Sequence, residues 1–84
     1  MRVMIQVAVY PIGSDDVGEK VTKALETLKD MDIETFTTPM STTISCELGD
    51  GLEAIKRLFE SVANDGQAVM NVTFSNCCGI SIKH

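Results

Sequence analysis

One proline near the middle of the chain constrains the fold more than any other residue. Pro39 interrupts a hydroxyl-rich run from Thr37 to Thr43 that could otherwise form one long strand. Because proline has no backbone N–H to donate and biases the preceding residue toward extended geometry, the run predicts two short strands joined by a tight bend. A helix-length pattern lies on each side of the bend, and another strand pattern lies beyond each helix. The predicted order is therefore βαββαβ.

Four segments alternate between two kinds of side chain, which is typical of half-buried strands. The predicted strands cover residues 2–10, 33–38, 42–48 and 68–75. Three of them have one clearly apolar face and one mixed face, whereas the inward face of the second strand carries threonine. The alternation therefore predicts a sheet that is covered on one side only.

Two further segments have apolar residues at helical spacing. The first helix is predicted to follow Ser14 as its N-cap and to run through Asp30. Asp50 and Glu53 resemble a capping box, which predicts that the second helix starts there. This helix should close just before Gly66, a residue type that is common at left-handed C-terminal positions.

Together these elements predict an α/β sandwich with a ferredoxin-like fold, in a single domain spanning residues 1–84. Both helices should pack on one face of an antiparallel four-stranded sheet with strand order 4-1-3-2 or a close relative of it. The opposite face, which we call the bare sheet face, is too apolar for plain solvent and too polar for a core. It predicts a homo-oligomer, a dimer or tetramer through sheet faces, or a small ligand held between subunits. The bare sheet face is predicted to carry Met4, Gln6, Tyr10, Phe36, Thr43, Ser45, Glu47, Val69, Asn71 and Thr73.

The charge balance argues against nucleic acid and membranes as partners. Seven Lys and Arg residues stand against 12 Asp and Glu residues, for a net charge of -5. This charge repels phosphate backbones and anionic lipid surfaces, although an acidic balance is also ordinary for soluble domains.

No apolar run approaches the roughly 20 residues that cross a bilayer, and Met1-Arg2 leads directly into a strand. We therefore expect a cytoplasmic protein.

The residue types that usually carry catalysis or bind metals are not arranged for either task. His84 is the only histidine and the last residue, so a catalytic triad would depend on a frayed terminus. Three cysteines do not suggest a disulfide framework. Cys77-Cys78 lacks C-x-x-C spacing and Cys46 should face the core, which argues against zinc. We expect neither an enzyme nor a resident metal or cofactor.

The hydroxyl residues around the bend offer donors and acceptors that could orient a neutral heterocycle. Threonine is also simply a good strand residue, so a purely structural role is the competing interpretation for each hydroxyl. Gln6 and Asn71 should point the same way from neighbouring strands, as amides that contact either a heterocycle edge or a second subunit. Met40 and Tyr10 could supply apolar contact to a ring. The predicted ligand-binding residues are Gln6, Tyr10, Met40, Ser41, Thr42, Thr43 and Asn71.

The bend, Thr38-Pro39-Met40-Ser41-Thr42, resembles the T-P-M-x-T element of the thiamine-binding, YkoF-like family of small ferredoxin-like proteins. Pro11-Ile12-Gly13, Glu53-Ala54-Ile55 and Gly79-Ile80-Ser81-Ile82 are similar to the family layout as well, so the resemblance covers nearly the whole chain. The chain has Ser45-Cys46 where the family commonly has Glu-Gly. The resemblance implies a cytosolic, non-enzymatic carrier or sensor that assembles through its sheets. Its implied ligand is thiamine or the hydroxymethylpyrimidine moiety.

Two other functions on the same topology stay open at this point. An ACT-like regulatory module would bind an amino acid at a subunit interface. An acylphosphatase-like enzyme would need a basic phosphate cradle after the first strand, where residues 11–16 contain no Lys or Arg. Asp15 and Asp16 also place negative charge at the start of the first helix, which disfavours a phosphorylated ligand there.

Overall fold

The computed structural model describes residues 1–13, 16–38, 41–64 and 66–77. The elements in chain order are β1 (Arg2–Pro11), α1 (Val17–Glu26), β2 (Glu34–Thr37), β3 (Thr42–Glu47), α2 (Leu48–Ala63) and β4 (Ala68–Ser75). This order confirms the predicted βαββαβ arrangement and the ferredoxin-like fold class.

All strand pairings are antiparallel, and the sheet order is β2-β3-β1-β4. This is the predicted order 4-1-3-2 read from the opposite edge. The central strand β1 pairs with β3 over residues 2–7 but with β4 over residues 4–11. One end of β1 therefore extends past β3 while still bonded to β4.

Both helices cover the same face of the sheet, as predicted. Every second residue of β1 and β3 contacts the apolar side of the helices. This follows from the sequence, because side chains repeat on one face every 2 residues in a strand and every 3.6 residues in a helix. The bare sheet face has no helix on it among the described residues. The buried core consists of Val3, Ile5, Val7, Ala24, Leu28, Ile44, Cys46, Ala54, Leu58 and Val62.

The first helix is shorter than predicted, because it ends at Glu26 rather than Asp30. After Glu26 the chain continues with tight turns in which N–H groups bond to carbonyls three residues back, as Leu28 does to Leu25 at 3.1 Å. The Thr27 hydroxyl also donates to the Ala24 carbonyl at 2.6 Å, which satisfies a terminal acceptor and favours an end at this point. The predicted N-cap, Ser14, lies outside the described residues.

The predicted capping box at the start of the second helix is wrong. The helix begins at Leu48, directly after β3, and its N-cap Glu47 makes no side-chain capping hydrogen bond. Asp50 lies in the first helical turn, where a carboxylate favours the helix dipole. Glu53 instead accepts a hydrogen bond from Arg57 at 3.0 Å.

Arg57 fastens the second helix to the turns after the first helix. Its guanidinium donates to Glu53 on its own helix at 3.0 Å, and to the Asp30 carboxylate and the Thr27 carbonyl at 2.9 Å each. Two hydrogen bonds raise the pKa of Arg57 above its already high ordinary value. The one to Glu53 has the larger effect, and the one to Asp30 has the smaller effect. The side chain is therefore charged at every physiological pH and acts as a constant tie between the two helices.

Candidate functional site

The predicted bend turns the chain between β2 and β3. The Thr38 N–H donates to the Ser41 carbonyl at 2.8 Å, and the Ser41 N–H donates to the Thr38 hydroxyl at 3.2 Å. These bonds close a hairpin, so β3 begins at Thr42, opposite Val7 of β1. Because β1 continues along β4 to Pro11, a notch opens between the described arms of the hairpin, the end of β1 and α1.

A cleft of about 350 Å³ occupies this notch, and we call it the hairpin cleft. Its volume lies within the range of about 300 to 1,000 Å³ that is usual for small-molecule sites. Three segments line it: the end of β1, one side of α1, and the two arms of the hairpin. The lining residues are Val7, Ala8, Val9, Tyr10, Val17, Gly18, Val21, Thr22, Leu25, Thr37, Thr38, Ser41 and Thr42.

The walls of the hairpin cleft differ in chemistry. The α1 wall is mainly aliphatic, whereas the hairpin wall carries four hydroxyl side chains. Two of these hydroxyls face each other, with 3.5 Å between the Oγ1 atoms of Thr37 and Thr42. Thr42 is only 5% exposed, so its hydroxyl is a nearly buried polar group at the base of this wall. All of the described lining residues are uncharged, so the cleft combines ring-burying surface with neutral hydrogen-bonding groups.

The structure brings four of the predicted site residues together at the hairpin cleft. Tyr10, Ser41 and Thr42 line it. Gln6 lies beside it on the bare sheet face, where its amide donates to the Ser41 hydroxyl at 3.4 Å. A partly enclosed cleft is therefore present near the bend, where binding was predicted. This cleft is bordered by α1 and is not a flat area of the bare sheet face.

The remaining predicted site residues are placed differently. Thr43 lies on the bare sheet face opposite Gln6, and Asn71 lies on the same face opposite Ala8. Neither lines the hairpin cleft. Met40 lies outside the described residues.

The cleft is also lined by three aliphatic residues of α1 that were not among the predicted site residues. Val17, Val21 and Leu25 have the spacing of a buried helix face, so the sequence pattern does not distinguish them from core residues. Val17 is 42% exposed, since the notch leaves nothing packed above it on the sheet side. Helical spacing identifies the inward face of a helix but not whether that face meets a strand or a cleft.

The bare sheet face has the mixed composition that was predicted for it. Across the sheet, the register aligns Phe36, Thr43, Gln6 and Thr73 in one row. Phe36 is 54% exposed, and Tyr10 and Val69 are each about half exposed. Such exposure of large apolar side chains beside polar ones is typical of interaction surfaces.

A second opening, which we call the apolar hollow, lies at the opposite end of the sheet and has a volume of about 450 Å³. Most of its lining is aliphatic or aromatic, and Phe74 there is 42% exposed although it pairs with the fully buried Ile5 of β1. Phe74 is exposed because β4 is an edge strand and because Phe74 is the next-to-last residue of that strand. The hollow is lined by Met1, Val3, Leu48, Leu52, Phe74, Ser75 and Asn76.

Within the part of the chain that the structure describes, no group of three or more His, Cys, Asp or Glu side chains is placed to hold a metal ion. Across the same residues, no helix is both long and apolar enough to span a membrane.

Comparison with known proteins identifies the family. A relative from Methanocaldococcus jannaschii, the UPF0045 protein MJ1052, is 31% identical over 71 residues, covering 83% of this chain and 71% of the relative. The crystal structure of MJ1052 superposes with a TM-score of 0.81 at 29% identity, over 88% of this chain and 78% of that one.

Two more distant structures share the fold. Protein SP2199 from Streptococcus pneumoniae has a TM-score of 0.83 at 18% identity, over 99% of this chain and 97% of its own. TM0486 from Thermotoga maritima, described as a candidate thiamine biosynthesis or salvage protein, has a TM-score of 0.76 at 18% identity, over 89% and 83%. The family model for thiamine-binding proteins matches residues 5–74, which include both strands of the hairpin and most of the hairpin cleft. The chain belongs to this thiamine-binding protein family.

Proposed function

We propose that the protein is a non-enzymatic, cytoplasmic carrier or sensor that binds thiamine or its hydroxymethylpyrimidine moiety in the hairpin cleft. The observation that carries this proposal is the composition of the cleft, in which an aliphatic wall faces a wall of hydroxyls. An aromatic heterocycle needs both, because ring burial supplies affinity and hydrogen bonds set orientation. The family match supports the same ligand class.

The electrostatics of the cleft favour a neutral or weakly basic ring over a phosphorylated cofactor. A diphosphate is normally bound by Arg, Lys or a metal, and the described lining residues are all uncharged. Asp16 precedes α1 at the end that borders the cleft and adds negative charge there. The net charge of -5 acts in the same direction over longer distances.

The proposal includes a homo-oligomer, a dimer or tetramer, formed through the bare sheet face. Phe36, Tyr10 and Val69 together would leave an exposed apolar patch on a monomer of this size. A second copy is a suitable cover, because large apolar side chains that lie beside polar ones permit a wet, self-complementary contact. Light scattering at micromolar concentration tests this part separately, and a strict monomer would contradict it.

Calorimetric titration with thiamine, hydroxymethylpyrimidine and thiamine diphosphate tests the ligand. We expect binding of thiamine or hydroxymethylpyrimidine, and weaker binding of the diphosphate. Free amino acids serve as the control for an ACT-like module and should give no heat. No response to any of the three compounds, or tightest binding of the diphosphate, would overturn the proposed function.

A further inference from the structure

The hairpin cleft opens beside the N-terminal half of α1. Val17 and Ala24 lie on the same side of this helix, because seven residues make about two turns. Ala24 is 1% exposed and Leu28, just after the helix, is 3% exposed, whereas Val17 is 42% exposed. The C-terminal end of α1 is therefore packed into the core, and its first turns form a wall of the cleft.

Gly18 is the one residue of this wall that has no side chain, since the other lining residues of α1 are valine, threonine and leucine. The backbone of Gly18 is helical and has no positive φ, so any L-residue could adopt it. No described atom lies within 4 Å of the position that a Cβ would take. Among the described residues, neither backbone conformation nor packing therefore requires a glycine at this position.

A glycine within a helix has a cost, because it loses more backbone freedom on folding than alanine does. Packing explains the glycine at position 51, where an added Cβ would be 2.6 Å from Cδ1 of Ile5. Gly49 has the same place in α2 as Gly18 has in α1, and its surroundings are equally open, but it lines neither the cleft nor the apolar hollow. What distinguishes Gly18 is that a side chain there would compete with the contents of the cleft.

We propose that Gly18 is the specificity-determining residue of the hairpin cleft, because its missing side chain leaves the space that the ring of the ligand occupies. Glycine permits close approach of a ligand to the backbone, so the ring can lie against the first turns of α1. The Thr22 hydroxyl donates to the Gly18 carbonyl at 2.9 Å, which leaves this wall to contact the ring mainly through backbone and aliphatic atoms. This inference rests on the proposed function and names the residue that limits the size of the ligand.

Gly18→Ala and Gly18→Leu test the proposal as a graded series. Alanine and leucine are both better helix formers than glycine, so the melting temperature of the ligand-free variants should be equal to that of the wild type or slightly higher. Calorimetric titration with hydroxymethylpyrimidine should show the opposite trend. We expect affinity to fall about 5-fold with alanine and up to about 150-fold with leucine, as for overpacking of an occupied site.

Gly49→Ala and Gly49→Leu are the matched controls, because they make the same changes at the second residue of the other helix. They should bind hydroxymethylpyrimidine as tightly as the wild type. If Gly18→Leu does not fold, Gly18→Ala carries the test, since it adds a single methyl group at a helical position.

Three results would contradict these expectations. Equal or tighter binding of hydroxymethylpyrimidine by the folded Gly18 variants would overturn the role of Gly18 and leave the proposed function standing. An equal loss of affinity in the Gly49 variants would overturn it as well, because the cause would then not be the filling of the cleft. Absence of any pyrimidine binding by the wild type would instead overturn the proposed function.

Discussion

The hairpin cleft and the apolar hollow lie at opposite ends of one sheet and differ in chemistry more than in size. The apolar hollow is the larger, at about 450 Å³ against about 350 Å³ for the hairpin cleft. Among the described lining residues, the polar ones at the hollow are Ser75 and Asn76, whereas the hairpin cleft has a wall of four hydroxyls. Volume alone would favour the hollow, whereas the heterocycle recognition that we propose needs converging polar groups as well as apolar surface.

The difference arises from how the chain connects at each end. At the hollow, β3 continues directly into α2, and the N-terminal ammonium lies 3.1 Å from the Glu47 carboxylate. The strands there end at a similar level and the first helical turn covers them. At the cleft, β1 extends past β3, and the hydroxyl groups there have no covering element among the described residues.

The largest expected effect is on the hollow side and concerns stability. Gly51 lies where α2 crosses the sheet, and an added Cβ would be 2.6 Å from Cδ1 of Ile5 and 3.2 Å from Sγ of Cys46. Gly51→Ala should lower the free energy of unfolding by about 3 kcal/mol through overpacking, measured by urea denaturation. Gly49→Ala, in the same helical turn with nothing within 4 Å, is the matched control and should be neutral or slightly stabilising. Equal loss in both variants would mean that the close packing of α2 is not the cause.

The next effect is on the cleft side and concerns binding. Thr42→Val keeps the shape of the side chain but removes the nearly buried hydroxyl beside Thr37, so affinity for hydroxymethylpyrimidine should fall by about 1 to 2 kcal/mol. Thr43→Val is the matched control on the bare sheet face, one residue along the same strand. A larger loss for Thr43 than for Thr42 in titration calorimetry would move the site from the cleft to the bare sheet face.

Tyr10 tests whether an aromatic wall contributes at the open side of the cleft. Tyr10 is a lining residue of the cleft, and about half of the residue is exposed. Tyr10→Ala should weaken ligand binding by about 0.5 to 1.5 kcal/mol, the usual value of one aromatic contact, and Tyr10→Phe should restore most of it. Full affinity in Tyr10→Ala would show that the ring makes no contact with the ligand.

The smallest expected effect is at the apolar hollow. Leu52 is 55% exposed, so Leu52→Ser should change the free energy of unfolding by less than about 0.5 kcal/mol and leave ligand affinity unchanged. Thermal melting and calorimetry on one preparation measure both quantities. If this variant loses the ligand while Thr42→Val keeps it, the hollow is the binding site and the comparison of the two ends is reversed.

The alternation of side chains was enough to predict the four strands and the composition of the bare sheet face, while the right-handedness of βαβ crossovers was needed to predict the strand order. Helix boundaries were less predictable, because they depend on local hydrogen bonds. The hydroxyl of Thr27 favours the early end of α1, and Glu53 bonds to Arg57 rather than forming a capping box. A motif such as Asp50-x-x-Glu53 indicates that a cap is possible but not that β3 leads straight into the helix.

The sequence by itself determined the architecture, since period-2 and period-3.6 patterns and one proline leave few ways to bury the apolar residues of 84 positions. It also identified the hydroxyls that flank the bend. Only the tertiary structure decided that Thr42 faces a cleft beneath α1 while Thr43 faces the bare sheet. These facts depend on the relative lengths of β1 and the hairpin and on where α1 packs, which are properties of long-range pairing that no local pattern encodes.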